Sequence, residues 1–102
     1  MNPDGYINGK PYYENTRLLS EIIKEGGTVD INYKKSPLGK LKSCTAFIFL
    51  EDSYSSATVN YDKKEAKNNP ILKLYPKAVL KLRAIKEAVY KNPDILRLLN
   101  LS

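Results

Sequence analysis

The chain has 102 residues, of which 42% are apolar and 27% charged, and its net charge is +6. This length allows one domain with one hydrophobic core, residues 1–102, and the composition is that of a folded protein rather than of a disordered segment. No apolar run approaches the ~20 residues of a membrane-spanning helix, and the N-terminus lacks the basic and apolar parts of a secretory signal.

The first part of the chain predicts a hairpin followed by a helix. Asn8-Gly9 between short apolar flanks is typical of a two-residue hairpin turn, and Pro11 restricts its strand to a sheet edge. Apolar residues then recur at three-and-four spacing, which predicts a helix over about 14–25 that ends at Gly26-Gly27. The apolar stripe of this helix consists of Leu18, Leu19, Ile22 and Ile23.

The middle of the chain predicts an antiparallel three-stranded meander over about 28–34, 41–50 and 57–61. The outer two strands alternate between apolar and polar residues, as half-buried strands do. The central strand differs, because residues 45–50 carry no charge and both alternating sets of side chains are apolar. We therefore expect this strand to be covered on both faces, with a loop over 51–56.

The C-terminal part predicts helices. A charged linker over 62–69 leads into a short turn that begins at Asn69-Pro70, and Pro76 opens a long helix over about 76–91. Asn92-Pro93 then starts a last short helix over about 93–100. Helices packed with an antiparallel sheet define an α+β fold.

A faint internal similarity predicts two related halves, about 1–50 and 51–102. Ile31-Asn32-Tyr33-Lys34-Lys35 resembles Val59-Asn60-Tyr61-Asp62-Lys63, and each stretch is followed by a proline turn into Lys-Leu. The helices show a similar echo in a different register, so coincidence in a chain rich in Lys, Asn and Tyr is the alternative. Related halves would place a binding cleft at the seam between them.

The chain lacks the residues that most catalytic and metal sites use. It contains no histidine, no Gly-rich phosphate loop and a single cysteine. Cys44 belongs to the most apolar strand, where a buried inert thiol is expected, and one cysteine cannot form an internal disulfide. We therefore expect no catalytic residues, no metal and no cofactor, and a reducing, cytoplasmic compartment.

The first functional hypothesis is a non-enzymatic module that binds a peptide or protein segment. A three-stranded sheet has two open edges that can pair with an extended peptide. The chain also has eight tyrosines, and tyrosine is enriched at protein interfaces. The residues predicted to contact the partner, at the sheet edge or at the seam between the halves, are Asn32, Tyr33, Asn60, Tyr61, Tyr12 and Tyr13.

The alternative is a sequence-indifferent nucleic-acid-binding protein. Residues 52–102 carry 10 Lys and Arg against 5 Asp and Glu, and a basic half is typical of phosphate-binding surfaces. Most of these residues are lysines, whereas bidentate recognition of phosphate favours arginine, so a solvated surface is the preferred interpretation of them. The lysines assigned to this alternative are Lys63, Lys64, Lys67, Lys77, Lys81 and Lys91.

The chain is biased towards Lys, Tyr, Ile and Asn, as in residues 31–35, and it has a lone cysteine and a small size. In these features the chain as a whole resembles the small proteins of filamentous viruses of hyperthermophilic archaea, such as Acidianus filamentous virus. The resemblance implies expression in a host cytoplasm and an accessory or interaction role, and it carries no site residues with it.

Overall fold

The computed structural model describes the backbone of residues 5–7, 10–12 and 15–100, and the side chains of residues 17–100. Near the N-terminus, strands β1 (Gly5–Ile7) and β2 (Lys10–Tyr12) pair antiparallel, with Ile7 opposite Lys10. This pairing confirms the predicted hairpin, whose turn residues Asn8 and Gly9 lie outside the described part.

The described residues from 15 onwards form one helix, three strands and then four helices. The predicted α+β fold with a central meander is confirmed. The elements are α1 (Asn15–Lys24), β3 (Thr28–Lys35), β4 (Leu41–Leu50), β5 (Ser53–Asn60), α2 (Lys63–Asn68), α3 (Pro70–Leu74), α4 (Pro76–Tyr90) and α5 (Pro93–Leu98).

The sheet has the strand order β3-β4-β5, and both pairings are antiparallel. The predicted 51–56 loop was wrong, because only Glu51 and Asp52 form a turn and β5 begins at Ser53. Glu51 adopts a φ of 53°, which allows this tight reversal. The three serines among residues 53–56 are typical of a turn, but the segment completes the ladder opposite the apolar end of β4.

Two glycines fix the connection from α1 to β3. Gly26 has a φ of 84°, a left-handed conformation that favours glycine, and it ends the helix as predicted. A Cβ atom on Gly27 would lie 2.7 Å from the carbonyl oxygen of Phe49, so only glycine allows this approach to β4. The pair therefore sets the position of β3 beside β4.

The predicted charged linker over 62–69 contains the short helix α2. The Asp62 carboxylate accepts hydrogen bonds from the backbone N–H groups of Lys64 and Glu65, at 2.9 and 3.2 Å. Such a cap satisfies backbone donors that have no partner within the helix. The cap therefore stabilises the first turn of α2, and this charged segment forms a short helix rather than the predicted linker.

The hydrophobic core lies between one face of the sheet and the helices. The long helix α4 crosses β4 and β5, while α1 packs beside it and against β3. Ala84 and Ala88 are fully buried, and their small side chains allow α4 to approach the strands closely. The large side chains that are fully buried with them include Leu18, Ile22, Ile48, Leu50, Leu72, Leu80, Ile85 and Ile95.

The expectation that β4 is covered on both faces was wrong. Cys44, Ala46 and Ile48 are buried, but the side chain of Phe49 on the other face is 46% exposed. In the described part of the chain no helix packs over that second face. Phe49 instead lies against Tyr54 of β5, with ring centroids 4.8 Å apart and the rings tilted by 43°, so a cross-strand aromatic contact supplies part of the missing cover.

One buried hydrogen bond ties β5 to the end of α4. The hydroxyl of Ser55 donates to the carbonyl oxygen of Ala88 at 2.6 Å, and Ser55 is only 5% exposed. Ala88 belongs to the last turn of α4, where carbonyl groups lack helical partners.

Replacing Ser55 with alanine should destabilise the protein by about 1 kcal/mol, because the carbonyl of Ala88 would lose its buried partner. Urea unfolding followed by circular dichroism measures this change. Ser56→Ala is the matched control, since Ser56 is half-buried on the opposite face of the same strand. Equal destabilisation by both variants would contradict the role of the hydrogen bond.

A bidentate ion pair joins α2 to α4. The Arg83 guanidinium donates to both oxygens of the Glu65 carboxylate, at 2.9 and 2.5 Å, and the side-chain amide of Asn69 donates to the same carboxylate at 3.2 Å. The hydrogen bonds from Arg83 lower the pKa of Glu65, and Glu65 in turn raises the pKa of Arg83.

A carboxylate with a lowered pKa stabilises the fold above the ordinary glutamate value of about 4.3, and this contribution disappears as pH falls through the lowered value. Glu65→Gln should therefore cost stability at pH 7 but not in strong acid. Both side chains are 37% exposed, so solvent screening limits the effect to below about 1 kcal/mol. Urea unfolding across the acid range measures it, with Glu25→Gln as a control in an exposed turn.

Candidate functional site

The uncovered side of β3, β4 and β5, here called the open face, carries four rows of side chains. Each row contains one residue from each strand, because the two registers place these residues opposite one another. The rows are Thr28–Phe49–Tyr54, Asp30–Phe47–Ser56, Asn32–Thr45–Thr58 and Lys34–Ser43–Asn60.

The chemistry of the open face changes along the strands. One end is aromatic, where Phe47, Phe49 and Tyr54 line a cavity of about 690 Å³ together with Asp30. The middle is uncharged and polar, and the hydroxyl oxygens of Thr45 and Thr58 lie 2.8 Å apart in a cross-strand hydrogen bond. The far end is basic, so one surface offers stacking, hydrogen-bonding and cationic groups in sequence.

The basic end has three adjoining cavities, of about 690, 500 and 470 Å³, which share Leu41. Among the described residues that line them, six are lysines and none is an aspartate or a glutamate. We call this cluster the lysine end. It consists of Lys34, Lys35, Lys40, Lys42, Lys63 and Lys77.

The turn between β3 and β4 brings four of these lysines together. The N–H of Ser36 donates to the carbonyl of Lys40 at 2.7 Å, and the N–H of Gly39 donates to the carbonyl of Ser36 at 2.8 Å. Gly39 has a φ of 81°, which suits its place in this tight turn. The turn therefore holds lysines on both sides of the strand reversal next to the start of α2.

At the opposite end of the sheet the strands and their turns are acidic, while Lys91 lies beside Tyr54 there, just after α4. Residues 25–30 contain Glu25 and Asp30, and residues 49–56 contain Glu51 and Asp52, with no lysine or arginine in either stretch. The ten residues of β4 span about 30 Å at the rise of a strand. The charges are therefore separated along the strand direction, positive where β4 begins and negative where it ends.

Three tyrosines lie at the lysine end, in different roles. The hydroxyl of Tyr33 donates to the carbonyl of Lys77 at 3.3 Å, while the ammonium of Lys77 lies 5.5 Å from the centre of the Tyr33 ring. Burial raises the pKa of Tyr33, with a smaller contribution from Cys44. Tyr33 thus positions Lys77, whereas Tyr75 is 64% exposed and Tyr61 is half-buried, which leaves ring surface for a ligand.

The structure brings together four of the residues predicted to contact a protein partner. Asn32, Tyr33, Asn60 and Tyr61 all line the first cavity of the lysine end. The two Asn-Tyr segments lie on either side of β4 at the same end of the sheet. Of the other two predicted residues, the side chain of Tyr12 and all of Tyr13 lie outside the described residues. The internal repeat itself stays a prediction.

The lysines assigned to nucleic acid are spread over the molecule. Lys63 and Lys77 belong to the lysine end, and Lys64 and Lys67 are exposed on α2. Lys81 is half-buried on α4, and Lys91 follows the last turn of that helix. A separation of 14 residues from Lys77 to Lys91 corresponds to about 21 Å of helix, so these two do not form one site.

The sequence prediction did not include Lys34, Lys35, Lys40 and Lys42. A signal for them existed, because residues 31–50 contain these four lysines and no carboxylate. The lysines also bracket the proline turn that follows residues 31–35, so the reversal of the chain had to bring them together.

Comparisons with protein-family models, with curated proteins and with solved structures each returned no match. The resemblance to archaeal virus proteins therefore stays a prediction. Within the described part of the chain, no helix has the length and apolar character needed to cross a membrane. In the same part, no three residues of the types His, Cys, Asp and Glu are grouped so that they could hold a metal ion.

Cys44 belongs to β4, on the face that the helices cover, and it is fully buried. Burial raises the pKa of its thiol, and the positive charge of Lys81 opposes this only in part. A raised pKa and a buried sulfur both reduce the amount of reactive thiolate.

The folded protein should therefore react slowly with a thiol reagent at neutral pH, and the rate should rise many-fold once urea unfolds the chain. Absorbance of the released chromophore measures the rate in both states. Rapid labelling of the native protein at the rate of the unfolded chain would show that Cys44 is accessible and contradict the buried position.

Proposed function

We propose that this protein is a non-enzymatic module that binds single-stranded nucleic acid, without sequence preference, at the lysine end of its sheet. The observation that carries the proposal is the set of six lysines lining three adjoining cavities with no carboxylate among the described lining residues. Several ammonium groups around one surface favour a ligand with several negative charges, and a phosphate backbone is such a ligand.

The neighbouring groups favour a single strand over a duplex. Tyr61 and Tyr75 lie among the lysines, and unpaired bases stack on aromatic rings with about 1–3 kcal/mol per base. Asn32 and Asn60 line the first cavity and carry amides that can hydrogen-bond base edges. In a duplex the faces of the bases are stacked and their pairing edges are hydrogen-bonded to the other strand. The tyrosine rings and asparagine amides would therefore find fewer base surfaces to contact.

The amino-acid type of the cations supports binding without sequence preference. The cluster contains lysines and no arginine among the described lining residues, and lysine binds phosphate as a mobile point charge. Specific recognition of bases relies on bidentate contacts, for which arginine is suited. We therefore expect binding to depend on salt and on strand state more than on sequence.

The double variant Lys42→Glu, Lys63→Glu should weaken binding of a fluorescent single-stranded oligonucleotide at least tenfold at low salt. It should also reduce the slope of log affinity against log salt by roughly 1.4, about 0.7 for each lost phosphate contact. Fluorescence anisotropy at several salt concentrations measures both quantities. A duplex of the same length should bind more weakly than the single strand.

The matched control is Lys86→Glu, Lys91→Glu, which changes the net charge equally on the far half of α4. This variant should bind like the unchanged protein. No binding at low salt would overturn the proposal. An equal loss in both double variants would do the same, because it would indicate attraction to net charge rather than binding at the lysine end.

A second candidate is the binding of a peptide as an added strand, and one feature of β5 favours it. The N–H of Tyr61 donates to the carbonyl of Lys42, so alternation along the ladder directs the backbone groups of Ser56, Thr58 and Asn60 away from β4. The eight residues of β5 also contain no charge. An uncharged edge with free backbone groups can accept an extended peptide.

Peptide-library binding that is lost in Thr58→Pro but kept in Thr58→Val would support this second candidate. The outward amide of Thr58 is absent in the proline variant, while its pairing with β4 is not involved. Retention of peptide binding by the proline variant would exclude this edge.

A further inference from the structure

Within the described part of the chain, the outer edge of β3 has backbone groups that no strand pairs with, and the ladder fixes their positions. Residues of β4 alternate in direction along the ladder, and since Lys42 bonds to β5, Ser43 and Thr45 must bond to β3. On β3 the groups of Asn32 and Lys34 therefore point to β4. Those of Val29, Ile31 and Tyr33 point outwards, and in the described part of the chain no strand pairs with them.

The same edge leaves apolar surface partly uncovered. Val29, Ile31 and Tyr33 lie on the covered face of the sheet, yet all three are only half-buried. Beside this strand, α1 leaves Ile23 60% exposed although it lies in the apolar stripe of that helix. Free backbone groups next to uncovered apolar side chains are typical of an edge that another strand completes.

The geometry points to a second copy of this chain as the occupant of that edge. We propose that two β3 strands pair antiparallel about a two-fold axis at Asn32, joining two sheets into one of six strands. This register places Asp30 opposite Lys34 of the partner subunit, and by symmetry Lys34 opposite the partner's Asp30. It also places Ile31 opposite the partner's Tyr33.

Three features of the β3 strand favour this register. Asp30 and Lys34 would occupy non-hydrogen-bonded positions, where opposing side chains come closest, about 4.5–5.5 Å between Cβ atoms. The paired stretch from 30 to 34 lies before the bulge that the ladder shows between Lys34 and Lys35. Within this stretch the outward backbone groups of Ile31 pair with those of the partner's Tyr33, and those of Tyr33 pair with the partner's Ile31.

The charge separation of the molecule favours the same arrangement. The strand β3 begins at the acidic end of the sheet and ends at the lysine end. An antiparallel partner therefore brings its lysine end beside the acidic end of the first copy, at both ends of the interface. A parallel arrangement would place like charges together at each end.

The β5 edge fits a second copy less well. The carbonyl of Tyr54 already accepts a hydrogen bond from the side chain of Asn92 at 2.9 Å, so one outward group of that edge has a partner. The strand carries no charge with which a copy could fix a register. The β3 strand has both free groups and a self-complementary charge pattern.

Two single variants test the register by charge reversal. Asp30→Lys places lysine opposite lysine across the proposed axis, and Lys34→Asp places aspartate opposite aspartate. Each variant alone should dissociate at least tenfold more readily than the unchanged protein, because two attractive pairs become repulsive. An equimolar mixture of the two should form a heterodimer, since every opposing pair is then Lys with Asp.

Sedimentation velocity over a range of protein concentrations measures these equilibria. A short edge gives a small interface, so we expect the unchanged protein to dimerise with a dissociation constant in the micromolar range. Circular dichroism of each variant checks that the fold is retained, which is expected because both side chains are exposed. The double variant Asp30→Lys, Lys34→Asp should dimerise again like the unchanged protein.

Glu87→Lys and Lys86→Asp are the matched controls, because they make the same charge changes at exposed positions of α4, away from β3. Both should dimerise normally. A protein that stays monomeric at its highest soluble concentration would overturn the proposal, as would single variants that dimerise normally or a mixture that forms no heterodimer. Dissociation of the controls to the same extent would overturn it too. The nucleic-acid test uses Lys42 and Lys63, so the two proposals fail independently.

Discussion

The close packing of α4 on one face of the sheet determines what the remaining surfaces can do. Ala84 and Ala88 are fully buried, and the hydroxyl of Ser55 reaches the carbonyl of Ala88 at 2.6 Å. In the described part of the chain the helices cover only this side of the strands. One helical layer and three strands complete a core, and within the described residues no helix lies over the second face and no further strand pairs with either sheet edge.

That arrangement explains why polar and aromatic residues share the second face. Exposed Phe49 lies against Tyr54, and the hydroxyl of Thr45 hydrogen-bonds to that of Thr58. Side chains of neighbouring strands therefore supply each other's contacts and hydrogen bonds on the face that no described helix covers. On this face, hydroxyl and amide groups make most of the contacts with water, and charged side chains are few. Charges lie instead at the two ends of the strands, where turns and helix starts allow long side chains to reach water.

The core was predictable from the sequence because burial leaves a periodic pattern. The apolar run in β4, the stripe of α1 and the proline at the start of α4 all predicted elements that the structure confirms. The cover of β4 was not predictable in the same way. Phe47 and Phe49 have the same apolar character whether a helix or only a neighbouring strand covers them, so hydrophobicity alone does not distinguish the two.

The lysine end shows a different limit of sequence reasoning. Lys63 and Lys77 were selected from the basic half of the chain, whereas Lys34 and Lys42 lie in the nearly neutral half and reach the same cavities only through the β3–β4 turn. Asn32 and Asn60 were selected for an internal echo, and they meet there because β3 and β5 flank the same strand. The register of the sheet brings together residues that are distant in sequence, and the amino-acid composition gives no information about that register.

The separation of charge along the strands links the two proposals physically. Lys34 faces the first cavity of the lysine end, and in the six-stranded arrangement it also lies opposite the partner's Asp30. A phosphate and a carboxylate would then draw on the same ammonium group, while the partner's acidic end would lie beside the bound polyanion and repel it. Linkage requires the effect to be reciprocal, so nucleic acid would weaken the dimer by the factor by which the dimer weakens nucleic-acid binding. Lys34 would thus contact either the partner's Asp30 or the nucleic acid, and this shared residue couples the β3 interface to the lysine end.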